Sequence, residues 1–328
     1  MRQIPLPTKR SAPVSLLFAA LISTAVVFSL SHSGNVTSKN AAIQQPSATP
    51  TPDAQDDVVR VSTDLVIVNV TVLDKNGKFV PGLKRADFQI FEDGAPQRLS
   101  TFSAEETPFA AAILLDTSGS MESRLTLGRS AAIRFLDGLR DEDVAAVYSF
   151  DTKVEQWSDF SPGRDLPQRV YALKTRTMTA LNDAIVRAAD DLAKREEKRR
   201  AIVVLSDGGE NYSHASSDKA LDRVSGANAT IYGANMAPEG PNRDLNGVAI
   251  LRNLAEKSGG RYIDVPGGLE LRDSLASIAE ELGHQYTIGY RPINRAHDGK
   301  WRTLQVKLSK PDVTVRTRKG YRAPKDKS

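Results

Sequence analysis

Strand-like and helix-like segments alternate along residues 109–282, and this alternation limits the possible folds more than any other feature of the sequence. Residues 110–115 form a continuous apolar run, which is typical of a strand buried on both faces. In the helix-like segments apolar residues recur on one side, as at Leu181, Ile185 and Leu192. We therefore predict an α/β domain over residues 108–282 with a doubly wound, mostly parallel sheet. Its predicted strands are residues 110–115, 144–150, 201–205 and 230–233, and its predicted helices are residues 124–139, 181–194, 244–258 and 269–282.

The segments on either side of this domain contain strand patterns without helix-length periods. Valine recurs at every second position from Val66 to Val72 in a stretch rich in β-branched residues, and residues 301–308 alternate between apolar and polar side chains. Each set of strands alone is too small to be stable. We therefore expect residues 58–107 and 283–328 to pack together as one small β module, with the α/β domain inserted between its halves.

The N-terminus has the pattern of an export signal. Arg2, Lys9 and Arg10 precede an apolar stretch at residues 14–30, and Ser29 and Ser31 provide small residues at its end. This pattern predicts a signal peptide or membrane anchor over residues 1–33, and the small residues favour a cleaved signal peptide. Residues 34–57 are rich in Ser, Thr, Gln and Pro and are predicted to form a disordered linker. The remainder is expected outside the cytoplasm, either periplasmic, secreted or anchored to the membrane.

Composition excludes several classes of function. The chain has no cysteine, which excludes disulfides, thiolate metal sites and cysteine nucleophiles. A net charge of +4 gives no reason to expect nucleic acid as a partner. Positive charge is concentrated after residue 290, where it fits either solvated strand faces or a patch for an anionic envelope polymer or membrane surface.

Oxygen-bearing side chains follow two of the predicted strands and precede one predicted helix. Asp116, Ser118 and Ser120 come directly after residues 110–115, Asp207 follows residues 201–205, and Thr179 precedes the helix at 181. In an open α/β sheet these positions share one edge, where ligands bind. A set of oxygen ligands suits a hard cation such as Mg²⁺ or Ca²⁺. Each residue alone fits a helix cap equally well, but their joint occurrence favours a metal site.

The three segments AAILLDTSGS, RTMTALNDAI and VVLSDGGEN together resemble the metal-ion-dependent adhesion site of von Willebrand factor type A (VWA) domains. The resemblance spans about residues 108–282 and implies a Rossmann-like fold that binds Mg²⁺, or alternatively Mn²⁺ or Ca²⁺. One departure lies before the threonine, where Arg176, Thr177 and Met178 stand in place of small glycines. Thr177 is therefore the alternative threonine ligand. The metal ligands implied by the resemblance are Asp116, Ser118, Ser120, Thr179 and Asp207.

Sequence flanking these motifs, such as LSDGGEN, YTIGYRP and VRTRKGYRAP, resembles a family of exported VWA-domain proteins from Acidobacteria. The resemblance implies an adhesion module whose cation holds an Asp or Glu of a protein ligand. Two alternatives are a structural envelope protein with a stabilising metal and a metal-dependent hydrolase. We see no nucleophile elbow, P-loop or dinucleotide fingerprint and expect no enzymatic activity. The nearby carboxylates Asp183 and Glu210 are expected to be solvated surface groups.

Overall fold

The computed structural model describes residues 65–104, 106–238, 240–241, 243–264 and 268–326. The predicted signal peptide or anchor at 1–33, the linker at 34–57 and the first residues of the β module, 58–64, lie outside these ranges. Within the described ranges no helix has both the length and the apolar character needed to span a membrane.

Strand and helix bounds are as follows, in chain order. The first four strands are β1 (Val66–Asp74), β2 (Phe88–Glu92), β3 (Ala95–Gln97) and β4 (Leu99–Ser103). The α/β domain follows with β5 (Phe109–Asp116), α1 (Leu125–Asp137), β6 (Val144–Phe150), β7 (Val154–Ser161), α2 (Leu181–Leu192), β8 (Arg199–Ser206), α3 (Ser217–Gly226), β9 (Ala229–Asn235), α4 (Leu245–Ser258), β10 (Tyr262–Asp264) and α5 (Gly268–Gly283). The last strands are β11 (Tyr286–Tyr290), β12 (Trp301–Leu308), β13 (Val313–Arg316) and β14 (Gly320–Arg322).

The α/β domain is built on one sheet of strand order β10-β9-β8-β5-β6-β7. All neighbours are parallel except β7, which pairs antiparallel with β6 at one edge. Every residue of β5 is buried, because its odd-numbered side chains such as Ile113 pack towards α1 and α5 while even-numbered ones such as Leu114 pack towards α2, α3 and α4. The predicted α/β fold with a mostly parallel sheet is confirmed.

Three elements of this domain, α3, β7 and the three-residue strand β10, were not expected from the sequence. Helix α3 is largely polar and buries only Ala220, Leu221 and Val224, which is too few to produce a helical period. Its N-terminus is set by Ser216, whose hydroxyl accepts a hydrogen bond from Lys219 N at 3.2 Å. Strand β7 has no fully buried residue, so its sequence lacks the alternation of a half-buried strand.

The flanking strands form two four-stranded antiparallel sheets with the orders β13-β1-β11-β4 and β14-β12-β2-β3. In the first sheet Val68 pairs with Ile288, and in the second Ile90 pairs with Val306. These side chains belong to one buried cluster shared by the two sheets. Each sheet therefore combines strands from before and after the α/β domain.

A buried arginine fixes the connection between the α/β domain and the C-terminal strands. Arg199, at the start of β8, is fully buried. Its guanidinium donates to the carbonyl oxygens of Gly283 at 2.7 Å and Leu282 at 3.3 Å, and also to that of Gln285. The chain leaving α5 is therefore held against the amino end of the central sheet.

Candidate metal site

Asp116 ends the central strand β5 and is almost completely buried, with 1% of its surface exposed. Its Oδ1 accepts a hydrogen bond from Ser118 N at 2.8 Å, and its Oδ2 accepts one from Ser206 Oγ at 2.5 Å. Burial raises the pKa of the Asp116 carboxyl to about 7, against the hydrogen bonds from Ser118 and Ser206, and the nearby charge of Asp207 raises it further. No Lys, Arg or His among the described residues forms an ion pair with Asp116. The site therefore holds a buried carboxylate without a cationic side chain to balance it.

Ser118 and Ser120 lie directly after Asp116 with their hydroxyl oxygens 3.1 Å apart. Ser118 is buried and Ser120 is exposed. A short 3-10 helix, Gly119–Arg124, begins here and leads into α1, with Met121 N donating to Ser118 O at 3.0 Å. The alternate spacing of the two serines therefore places both hydroxyls on one side of the turn.

Thr179 and Asp207 come from two different loops and meet beside Gly209. A β-carbon built on Gly209 would lie 3.3 Å from Asp207 Oδ1 and 3.4 Å from Thr179 Oγ1. The Gly209 amide also donates to Asp207 Oδ1 at 3.1 Å. Thr179 is 3% exposed, whereas Asp207 is half-buried. A residue larger than glycine at 209 would crowd both oxygens.

An open cleft of about 490 Å³ reaches these residues from the surface. Ser120, Thr179 and Asp207 line it, with Asp116 and Ser118 buried behind. The structure thus brings all five predicted residues to the carboxyl edge of the sheet, and their role as metal ligands stays a prediction. The rest of the lining is Thr177, Gly209, Asn211, Ala237, Pro238, Gly240, Pro241, Arg243 and Asp244.

The loop that carries the two candidate threonines runs along the residues after Asp116. Arg176 N donates to Thr117 O at 2.8 Å, and Ser118 and Arg176 form an isolated parallel bridge. Thr177 is exposed, whereas Thr179 is buried with its hydroxyl beside Asp207. Burial and the neighbouring carboxylate favour Thr179 as the threonine ligand.

We predict that Thr179→Ala weakens Mg²⁺ binding about tenfold, because it removes one oxygen ligand. The loss of this ligand should cost roughly 1.5 kcal/mol, as does the loss of a hydrogen bond to a charged group. Thr177→Ala should leave the Mg²⁺ affinity unchanged within a factor of two. Isothermal titration calorimetry on both variants measures this difference. If Thr177→Ala weakens Mg²⁺ binding and Thr179→Ala does not, the threonine ligand is Thr177.

Asp151, a residue that the sequence did not single out, holds this threonine loop in place. It follows β6, and its carbonyl accepts a hydrogen bond from Ala180 N at 2.8 Å. Its carboxylate Oδ2 lies 3.4 Å from Thr117 Oγ1 and 3.6 Å from Arg176 Nε. Asp151 therefore links the loops after β5 and before α2. The available signal was its position, since it directly follows the predicted strand 144–150.

Glu210 and Asp183, expected to be solvated surface groups, are half-buried and also accept hydrogen bonds. Glu210 Oε2 accepts hydrogen bonds from Asn182 N and Ser213 Oγ, both at 2.7 Å. Asp183 Oδ1 accepts one from Ala215 N at 2.9 Å. The two carboxylates therefore fasten the loop after β8 to the first turn of α2, where backbone N–H groups lack partners within the helix.

Two glycines allow the loop that carries Asp207 to contact α4. Gly208 has a φ of +88°, a conformation that other residues rarely adopt. A β-carbon at Gly208 would lie 2.4 Å from Gly247 O, and one at Gly247 would lie 2.6 Å from Gly208 O. The two backbones are in direct contact, which fixes the position of Asp207 relative to the helix.

A family comparison identifies the class of the domain that carries this site. Residues 111–210 match the family model of the von Willebrand factor type A domain. This part of the chain is therefore a VWA domain, which confirms the family predicted from the three motifs.

Among curated proteins, the chain is similar to inter-alpha-trypsin inhibitor heavy chain H3 of Rattus norvegicus. The two are 27% identical over 206 residues, which cover 57% of this chain and 22% of the rat protein. The chain thus spans about a fifth of the length of that relative.

Solved structures with similarity to the chain include two bacterial proteins. An aerotolerance-related membrane protein from Bacteroides fragilis is 21% identical with a TM-score of 0.44, and the match covers 53% of this chain and 98% of that one. A von Willebrand factor type A protein from Catenulispora acidiphila is 13% identical with a TM-score of 0.43, and the match covers 81% and 76% of the two chains.

Proposed function

We propose that the VWA domain is a metal-dependent protein-binding module of the adhesion type. Its predicted site would hold a divalent cation, and a protein ligand would supply an Asp or Glu to that cation. The observation that carries the proposal is Asp116, a buried carboxylate without an ion-pair partner among the described residues, placed next to Asp207 and behind an open cleft.

The donor set fits a hard divalent cation. Asp116 and Asp207 supply two negative charges, and Ser118, Ser120 and Thr179 supply neutral hydroxyls. Two carboxylates balance one M²⁺ ion, and unpaired buried charge is costly unless a partner or a metal compensates it. Mg²⁺ takes six oxygen ligands and keeps water where the protein supplies fewer. Mg²⁺ is therefore the first candidate, with Mn²⁺ or Ca²⁺ as alternatives. A bound cation of this kind supplies an open position for an anionic ligand oxygen.

The shape of the cleft supports a protein ligand. Ser120 is exposed and Asp207 is half-buried, so the predicted metal position faces the open side of the cleft. Ala237, Pro238 and Pro241 add an apolar wall, and the charge of Arg243 is neutralised by an ion pair with Asp264. An acidic side chain flanked by apolar residues matches this lining, because interfaces combine an apolar core with a few oriented polar groups.

A hydrolase is disfavoured by the carboxylates that line the cleft. Within its described lining these are Asp207, a predicted metal ligand, and Asp244. Asp244 Oδ1 accepts hydrogen bonds from Asn246 N at 3.0 Å and Gly247 N at 3.1 Å, so it caps α4. Neither carboxylate is free to act as a general base. A metal that only stabilises the fold is disfavoured because such a site does not need an open cleft.

The binding experiment uses the full chain as bait against envelope extracts. A specific partner should bind with Mg²⁺, dissociate with a chelator and return when Mg²⁺ is restored. Asp207→Asn should abolish binding, whereas Glu122→Gln, an exposed carboxylate close in sequence to the serines, should not. Replacing the acidic residues of the captured partner should then identify the ligand carboxylate. A partner whose binding ignores both chelator and Asp207→Asn would refute the proposal.

We also propose that the domain works outside the cytoplasm, on the basis of the basic and apolar pattern of residues 1–33. Alkaline phosphatase, which is active only after export, should be active when fused after Asp57. The same fusion with Leu16 and Leu17 both replaced by Arg is the control and should be inactive. Export would be contradicted if a reporter that works only in the cytoplasm were active at the same position while alkaline phosphatase was not.

A further inference from the structure

A second cavity, of about 320 Å³, lies between α3 and the strands of the β module. Its walls come from the start of β1, the C-terminal end of α3, residues 292–297 and residues 318–324. It shares no lining residue with the cleft at the predicted metal site. The cavity is therefore a separate feature of the molecule.

Positive charge exceeds negative charge in the lining of this cavity. Arg322 is neutralised by Asp222 at 2.8 Å, and His297 lies 2.9 Å from Asp326. Arg295 and Arg318 also line the cavity, and neither forms an ion pair with another described residue. Two guanidinium groups thus lack a carboxylate in the part of the chain that the structure describes.

Arg318 is held rigidly at this wall. Its Nη1 donates to Ser225 O at 3.0 Å and to Asn228 Oδ1 at 3.3 Å, and its Nη2 donates to Ile67 O at 2.7 Å. All of these acceptors are uncharged, and the Nε–H is buried with no acceptor among the described residues. Desolvation of the half-buried Arg318 lowers its pKa to about 10. A rigidly positioned guanidinium that has no carboxylate partner is a common feature of an anion site.

We infer that this cavity binds a small organic anion whose carboxylate or phosphate group lies between Arg295 and Arg318. The remaining wall supplies apolar surface from Leu65, Pro292 and Tyr321. Its volume is at the lower end of the roughly 300–1,000 Å³ of small-molecule sites, which are mostly apolar with a few oriented polar groups. The ligand therefore has an anionic head and a compact apolar body.

Three probes titrated into the full chain by isothermal calorimetry test this inference. Benzoate and phenyl phosphate carry the two kinds of head on the same apolar body, and inorganic phosphate lacks the body. At least one aromatic probe should bind, more tightly than inorganic phosphate, and whichever binds better identifies the head group. Binding should persist in EDTA and in Asp207→Asn, which separates this cavity from the predicted metal site.

Arg295→Gln should weaken binding of the aromatic probe about tenfold, because it removes a charge-assisted hydrogen bond to the anionic head. Arg295 is exposed, so the variant should fold normally, and Arg291→Gln in the same segment is the matched control, since Arg291 is exposed but does not line the cavity. The inference is overturned when no probe binds at millimolar concentration, when both variants bind equally, or when EDTA abolishes binding.

Discussion

A chain that ends at Lys300 should fail to form a soluble, cooperatively folded protein. The deletion removes three strands, β12, β13 and β14. Strand β2 loses its neighbour β12, and strand β1 loses its neighbour β13. Leu304, Val306 and Tyr321 leave the shared core, and each such side chain contributes about 1.5–3 kcal/mol on burial. A loss of roughly 5 kcal/mol or more rivals the total stability of a typical domain, about 5–15 kcal/mol. The exposed faces of Phe88 and Ile90 should then aggregate.

The control is a chain that ends at Pro324, which keeps β12, β13 and β14. The described residues that it loses, Lys325 and Asp326, are exposed. It should remain soluble and melt within a few degrees of the full chain by circular dichroism. If the chain ending at Lys300 is also soluble and melts cooperatively, then the C-terminal strands are dispensable and this account of the β module is wrong.

Glu281→Leu should lower the free energy of unfolding by about 3–5 kcal/mol, the range for breaking a buried ion pair from one side. Glu281 lies on α5 and is 7% exposed. Its Oε2 accepts from Arg316 Nη2 of β13 at 2.5 Å, and its Oε1 accepts from Tyr232 of β9 at 2.9 Å and Thr71 of β1 at 3.2 Å. The substitution would strand the Arg316 charge and two hydroxyls at the junction of the α/β domain and the β module.

Chemical denaturation of Glu281→Leu measures this loss, and Glu280→Gln is the matched control. Glu280 is the preceding residue of α5 and is exposed, so its substitution should change stability by less than about 0.5 kcal/mol. An effect of Glu281→Leu below about 1 kcal/mol would show that the buried network does not hold the two parts of the molecule together.

The α/β fold was predictable because each buried strand leaves a strong local signal. The run at residues 110–115 is apolar throughout, since both faces of β5 contact helices. Helix α3 escaped prediction because it covers the sheet with only three buried residues. Pairings such as Val68 with Ile288 join residues far apart in sequence, and their register depends on tertiary packing that no local pattern encodes.

The candidate site was predictable where residue type and position coincide. Asp116 ends one buried strand and Asp207 directly follows another, and such positions meet at one edge of a parallel sheet. Ser206 was missed although its hydroxyl contacts Asp116, because a serine at the end of a strand is common and its direction depends on the loop that follows. Asp151 was missed because its contacts are to loops rather than to the predicted ligands.

The claim that Asp116 and Asp207 hold a divalent cation is tested most directly by calorimetric titration of Mg²⁺ into the metal-free full chain. Wild type and Glu122→Gln should each bind one ion per chain with the same affinity. Asp116→Asn and Asp207→Asn should each weaken Mg²⁺ binding at least a hundredfold. Each substitution removes one of the two negative charges that balance the ion, and this loss costs roughly 3 kcal/mol or more of binding free energy. The contrary result is Mg²⁺ binding with unchanged affinity in both Asn variants, or no Mg²⁺ binding by the folded wild-type chain.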